Sequence, residues 1–256
     1  MVTYLLKKSY QHKNLKEIKF NDLWGGNGIF TTMWIFGKPA RILFFKKHIK
    51  NLIKSLKVYK LNKQNIEKDI LKLINLNIKK NISYNHLLRI AVNNKIISIS
   101  LRKRLTPKLE FNLQLVNYKR IDPEFKNLKY KFILNHLSKI DNSCSDIGLC
   151  KNKKILESGT SNILFIKKDK IYSPKNEIYK GVNYNFFKKK LGNIINKDIK
   201  VESLKNYDEI LLIGSGKGVT SVKTINNNKW KRKSLIFYKI LFNFYKKEIS
   251  KCPLHK

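Results

Sequence analysis

The sequence predicts a mixed α/β chain folded as two halves, and three observations predict it. Helical apolar spacings alternate with short strand-like apolar runs along the chain. Residues 105–125, which include Pro107 and Pro123, interrupt this order near the middle. Glycine turns stand at the ends of the later apolar runs, where ligands often sit. The boundary placed in the irregular stretch gives a smaller N-terminal α/β domain at residues 1–110 and a larger C-terminal α/β domain at 111–256.

Each element has its own signal. Ile49, Leu52, Ile53 and Leu56 recur at i, i+3, i+4 and i+7, which makes one apolar helix face within residues 45–60. Ile66, Ile70, Leu73, Ile74 and Ile78 repeat the pattern. Residues 88–92 and 97–101 read as paired strands around an Asn93-Asn94 turn. One strand is expected near Leu113–Val116. The second half restarts with a helix over about 127–140, built on Leu128, Phe132, Leu134, Leu137 and Ile140, with Lys126 at its head. Strands follow at 146–150, 162–168 and 170–173. Lys180-Gly-Val-Asn183 leads a helix to about 192. Glu209–Ile213 reads as a buried strand running into Gly214-Ser-Gly-Lys-Gly218, then a strand at 219–225 and a last helix at about 234–250.

Composition narrows the function classes. A chain of 256 residues with 42% hydrophobic content can bury a sizeable core. The N-terminus lacks a secretory pattern, and no stretch approaches the ~18 apolar residues of a membrane span. Cys144, Cys150 and Cys252 lack metal-ligand spacing, and thiols in a reducing cytoplasm are the expectation. The net charge of +38 suggests a nucleic-acid partner, but only six of the 55 basic residues are Arg. Specific nucleic-acid surfaces favour Arg for bidentate contacts. Lysine, asparagine and isoleucine are enriched together and spread along the whole chain, as an AT-rich coding sequence produces. Nucleic acid is therefore not the expected partner; the positive field suits an anionic small-molecule substrate.

The stretch that carries chemistry is Glu157-Ser-Gly-Thr-Ser-Asn162-Ile-Leu-Phe165, with Lys126 lying 31 residues upstream. Pyridoxal 5'-phosphate (PLP) needs a lysine to hold its aldehyde and a carboxylate facing its ring nitrogen. It also needs backbone N–H groups and hydroxyls around its phosphate. Lys126 and Glu157 offer the first two. Gly181-Val-Asn183 at a helix start and Gly214-Ser-Gly216 after a strand offer the third. Taken singly, each has an ordinary reading: a solvated lysine, a turn glutamate, a tight glycine turn. The order and spacing of the set raise it above those.

That order resembles the class IV aminotransferases, the fold type IV PLP enzymes, which include branched-chain and D-amino-acid aminotransferases and 4-amino-4-deoxychorismate lyase. Gly25-Gly-Asn-Gly28-Ile-Phe30-Thr31-Thr32 resembles the family's Gly-(Asp)-Gly-x-Phe-(Glu/Thr)-Thr, and His48-Ile-Lys-Asn-Leu52 its His-x-x-Arg-Leu. Phe125-Lys126-Asn-Leu-Lys-Tyr130 resembles the Schiff-base lysine segment. Ser145-Asp146-Ile-Gly-Leu resembles Ala-(Asp/Glu)-(Asp/Glu)-Ala-Leu. Residues 157–165 resemble Glu-Gly-x-x-Ser-Asn-(Ile/Leu)-Phe, the most specific match. Tyr172-Ser-Pro174, Gly181-Val-Asn183 and Asp208–Ser215 resemble the later segments.

The resemblance implies a two-domain fold like that of D-amino-acid aminotransferase, and a homodimer. It makes Lys126 the Schiff-base lysine and Glu157 the partner of the pyridine nitrogen. The backbones of Val182 and Asn183, with Ser215 and Gly216, would contact the phosphate, and Tyr130 would approach the ring hydroxyl. Lys129 and Lys131 compete with Lys126, but only Lys126 keeps the family-like spacing to Asp146 and Glu157. Asn51 stands where the family carries a phosphate-binding arginine; Lys47 or Lys54 on the same helix could substitute.

Within the family the chain is most like 4-amino-4-deoxychorismate lyase, on its short length, the Phe30-Thr31-Thr32 segment and the Gly214-Ser-Gly216 turn. The implied reaction yields 4-aminobenzoate and pyruvate, a step of folate biosynthesis, with Lys126 as base and Lys126 or Thr32 assisting protonation. Arg89 is a candidate for the substrate carboxylates. The alternative is a branched-chain or D-amino-acid aminotransferase; a cofactor-free homologue ranks lower.

Overall fold

The computed structural model describes residues 3–61, 64–226 and 228–255. It bears out the mixed α/β class, with two sheets and two compact units. The first unit takes residues 1–104, 125–131 and 251–256; the second takes 105–124 and 132–250.

In the first unit, β1 (Tyr4–Gln11), β2 (Glu17–Ile18), β3 (Ile29–Gly37) and β4 (Arg41–Ile42) precede α1 (Phe45–Val58) and α2 (Ile66–Asn77); β5 (Tyr84–Val92) and β6 (Ile96–Lys103) follow. Among the described residues these strands form one antiparallel sheet in the order β2-β1-β6-β5-β3-β4. Leu88, Ile90 and Val92 of β5 and Ile97, Ile99 and Leu101 of β6 share one apolar face, as a period of two requires. Ile49, Leu52 and Leu56 of α1 and Ile70, Leu73 and Ile74 of α2 pack into the same core. Each such side chain contributes about 1.5–3 kcal/mol through burial. The expected hairpin turn is closed by Asn93, whose Oδ1 accepts from the N–H groups of Lys95 (2.9 Å) and Ile96 (2.7 Å).

The second unit contains β7 (Glu110–Asn117), most of α3 (Lys131–Leu137), β8 (Ser145–Lys151), β9 (Lys154–Ser158), β10 (Asn162–Lys167) and β11 (Lys170–Pro174). After α4 (Val182–Leu191) come β12 (Ile195–Lys197), β13 (Ile199–Lys200), β14 (Glu209–Gly214), β15 (Gly218–Ile225) and α5 (Ile236–Ser250). Among the described residues its sheet runs β12-β11-β10-β14-β15-β7-β8-β9-β13. β7 pairs in parallel with both β15 and β8, whereas β10, β14 and β15 pair antiparallel. Phe111, Leu113, Ile163, Phe165, Ile210, Leu212 and Val222 fill the core on one side. β14 is buried on both faces, which explains its unbroken apolar run. Its first residue, Glu209, caps α5: the N–H groups of Phe237 and Tyr238 each donate to its carboxylate at 2.9 Å. A carboxylate there satisfies donors that the first turn of a helix leaves open and complements the helix dipole.

The structure corrects the helix expected at 127–140. Residues 126–130 are not helical; α3 begins only at Lys131, so Lys126 does not head it. The reason is long-range. Asn127 forms an antiparallel bridge with Ile29, and Leu128 is wholly buried in the first unit. Leu128 therefore belongs to a strand-like segment and not to a helix face. Glu157 lies inside β9 and does not open the turn; the turn follows at residues 159–161.

Candidate active site

The first unit holds Lys126, Thr32, Tyr130 and Asn51. The lysine segment lies along the start of β3. The N–H of Phe30 donates to the Lys126 carbonyl (2.9 Å), that of Leu128 to the Gly28 carbonyl (2.9 Å) and that of Gly25 to the Leu128 carbonyl (2.8 Å). This close docking explains the glycine-rich segment. A Cβ on Gly28 would come within 2.5 Å of both the Leu128 side chain and the Val92 carbonyl. Two stretches about 100 residues apart are thus hydrogen-bonded side by side, with Gly28 allowing their close approach.

Lys126 Nζ lies 5.1 Å from the centre of the Phe30 ring. Tyr130 is buried edge-on to the same ring and stacks on Trp24. Behind β3, Thr31 Oγ1 and His48 Nδ1 are hydrogen-bonded at 2.9 Å, both buried. Burial, and then the nearby Lys126 charge, push the His48 imidazole down to about 3, so the ring is neutral at neutral pH. The two threonines therefore part company. Thr31 is committed to His48, while Thr32, one residue on, lies on the opposite sheet face and pairs in register with Arg89 of β5. The Arg89 guanidinium rests 3.6 Å from the Trp24 ring centre and donates to the Asp22 carbonyl at 2.7 Å. Its Nε is buried without a partner among the described residues. Burial lowers its pKa to about 10. Asn51 is half-buried on α1, Lys54 is exposed, and Lys47 sits 4.9 Å from the Phe44 ring.

The second unit holds Glu157, Val182, Asn183, Ser215 and Gly216. Glu157 is buried and paired: Arg120 Nε donates to its Oε1 at 2.6 Å, and the Tyr179 N–H donates to its Oε2 at 3.3 Å. Arg120 also donates to the Pro123 carbonyl. Sequence reasoning missed this arginine. The available signal was its rarity in a lysine-rich chain, since the planar, permanently charged guanidinium is favoured in buried ion pairs.

Asn162, at the start of β10, fixes the entry to α4. Its side chain donates to the Tyr179 carbonyl (2.6 Å) and accepts from the Gly181 N–H (3.1 Å). Gly181 caps α4 without any side-chain bond, and Val182 and Asn183 follow, both buried. Asn183 Nδ2 and Oδ1 are buried without a partner among the described residues. Its Nδ2 is a donor on the first turn of α4, the end of a helix whose dipole favours negative charge.

The Gly214–Gly218 turn, which carries Ser215 and Gly216, approaches the 159–161 turn closely. A Cβ on Gly214 would lie 2.7 Å from Ser161 Oγ. Asp146, wholly buried on β8, joins these pieces. Its Oδ2 accepts from Ser158 and Thr160 hydroxyls, each at 2.9 Å, and lies 3.0 Å from Lys217 Nζ.

With this geometry in hand, comparison with known proteins places the chain. A profile of the Amino-transferase class IV family matches residues 28–225, and the chain belongs to that family. No curated protein sequence matches significantly. Solved structures show the fold at low identity. A branched-chain aminotransferase from the archaeon Thermoproteus uzoniensis is 15% identical, with a TM-score of 0.78 over 95% of each chain. A Legionella pneumophila protein assigned as a 4-amino-4-deoxychorismate lyase is 14% identical, with a TM-score of 0.76 over 90% of this chain and 96% of that one. A Brucella abortus aminotransferase bound to PLP is 14% identical, with a TM-score of 0.72 over 94% and 98%. The fold is thus that of the fold type IV PLP enzymes. No helix among the described residues is long and apolar enough to cross a membrane.

Proposed function

We propose that this chain is a PLP-dependent lyase that converts 4-amino-4-deoxychorismate to 4-aminobenzoate and pyruvate. Two features of the second unit fit the cofactor. The unpaired Asn183 amide on the first turn of α4, whose Gly181 cap supplies no side-chain bond, suits a phosphate. Glu157 is a buried carboxylate that accepts from Arg120 and from the Tyr179 N–H, and a buried anion of this kind suits a protonated ring nitrogen. In this reading Lys126 holds the aldehyde, Glu157 faces the ring nitrogen, and Val182, Asn183, Ser215 and Gly216 hold the phosphate. Bound PLP would supply an electron sink for negative charge at the substrate carbon bearing the amine.

The chain's own groups divide the remaining work. Lys126 Nζ takes the proton from that carbon, and its neighbour His48, held neutral, does not compete as an acid. The observation that carries the lyase reading is the Thr32–Arg89 pair, a hydroxyl and a guanidinium in register on one sheet face. Arg89 suits a carboxylate of a dianionic substrate. Thr32 suits the ether oxygen of a leaving enolpyruvyl group. The reading includes a homodimer, which light scattering checks.

A coupled assay for pyruvate release, run beside a leucine/2-oxoglutarate assay, decides the reaction. Pyruvate release without leucine turnover is expected. Leucine turnover without pyruvate release would hand the assignment to an aminotransferase, the activity named for the Thermoproteus uzoniensis relative.

A further inference from the structure

Lys217 stands apart from the other lysines. In a chain whose lysines mostly face solvent, it is only 9% exposed. Its Nζ lies 3.0 Å from Asp146 Oδ2 and donates to Thr160 Oγ1 at 2.7 Å. Asp146 is saturated: besides Lys217, its Oδ2 accepts from Ser158 and Thr160, and its Oδ1 accepts from the Ile147 N–H at 2.8 Å. Lys217 is the cation that balances this buried carboxylate.

Its position in the chain gives the pair a second consequence. Lys217 sits in Gly214-Ser-Gly-Lys-Gly218, where three glycines leave the backbone much conformational freedom. Ser215 and Gly216 at the turn's tip are half-buried. The Lys217 side chain reaches from the turn across to another element. Its ion pair clamps the turn to β8 and to Thr160, next to the strand that carries Glu157.

We propose that Lys217 is a positioning residue for the cofactor phosphate: clamped by Asp146 and Thr160, it holds the glycine turn bearing Ser215 and Gly216 in the shape that receives the phosphate. This rests on the PLP reading above. A lysine acting only as a structural tie would affect every ligand alike. One acting through the turn affects only ligands that carry a phosphate.

The test titrates apo-protein with PLP and with pyridoxal, which lacks the phosphate, and follows the absorbance of each. Lys217→Met is compared with Asp146→Asn/Lys217→Met, which removes both charges and so avoids a stranded buried carboxylate; apo-protein melting is measured in parallel. PLP affinity is expected to fall about tenfold in both variants, roughly the loss of one preformed hydrogen bond. Pyridoxal affinity should stay within about twofold, since nothing is lost there. Unchanged PLP affinity in the double variant, or an equal loss for PLP and pyridoxal, overturns the proposal while leaving the cofactor reading standing. Wild-type protein that binds neither compound overturns both.

Discussion

Arg120 and Glu157 form a buried ion pair, Nε to Oε1 at 2.6 Å, with both side chains almost entirely out of solvent. Such a pair is weak as a source of net stability, because desolvation offsets most of the attraction. Breaking it from one side is another matter, since a charge is then left buried without its counter-charge. Arg120→Met should destabilise the protein by about 3–5 kcal/mol in urea unfolding. Arg120→Met combined with Glu157→Gln should recover much of that loss, because no charge is then stranded. A single variant as stable as the parent would show that the two side chains do not depend on each other.

The docking of Lys126 beside Phe30 leads to a chemical prediction. Reduction of the PLP-loaded protein with borohydride, followed by peptide mapping, should label Lys126. Lys131, one of the two rivals, has its side chain packed at Gly25, where an added Cβ would meet its Cε at 2.5 Å. Lys126→Ala should abolish the label. A label on Lys129 or Lys131 would show that the lysine was chosen wrongly, and no label on any lysine would end the PLP reading.

Parts of this fold were legible because their signals are local. The apolar stripe of α1 (Ile49, Leu52, Leu56), the Asn93 turn and the buried run of β14 all follow from spacing within about ten residues. What stayed hidden depends on distant partners. Residues 29–37, Ile-Phe-Thr-Thr-Met-Trp-Ile-Phe-Gly, do not alternate cleanly, because β3 is buried or half-buried on both faces. Leu128 matched a helical spacing, yet Gly28, about 100 residues earlier, draws it into an extended segment. The candidate lysine and glutamate were nominated from their motif. Arg120 and Lys217 were not, since nothing in the residues around them says that Glu157 and Asp146 will need a cation.

His48 makes stability depend on pH. Its imidazole falls from the ordinary 6.5 to about 3 in the folded protein, through burial first and the Lys126 charge second. A group with a depressed folded pKa binds its proton more readily when unfolded. Its contribution to stability is complete above about pH 6.5 and is lost as pH falls towards 3. Wild-type protein should therefore lose stability in that window by up to about 1.4 kcal/mol per pH unit more than His48→Gln, one proton's worth of linkage. Parallel urea titrations at several pH values check this. Identical slopes for the two proteins would mean that the imidazole titrates normally.

Asn183 sets stability against binding. Both of its side-chain polar atoms are buried without a protein partner among the described residues, at the second position of a helix whose cap offers no side-chain bond. Leaving a buried polar group unsatisfied costs about 1–3 kcal/mol. Replacing it with an apolar residue of similar size removes that cost, so Asn183→Leu should raise the stability of the apo-protein by about 1 kcal/mol or more. The same change removes a donor from the anion-receiving end of α4, where PLP is proposed to place its phosphate. The variant should therefore bind PLP more weakly even as its apo form melts later. Pyridoxal, lacking the phosphate, should bind as it does to the wild type. Apo-protein melting curves and the two ligand titrations separate these effects. A variant that is both less stable and unchanged in PLP affinity would show that Asn183 is satisfied within the folded chain, by water or by a neighbour, and serves no anion.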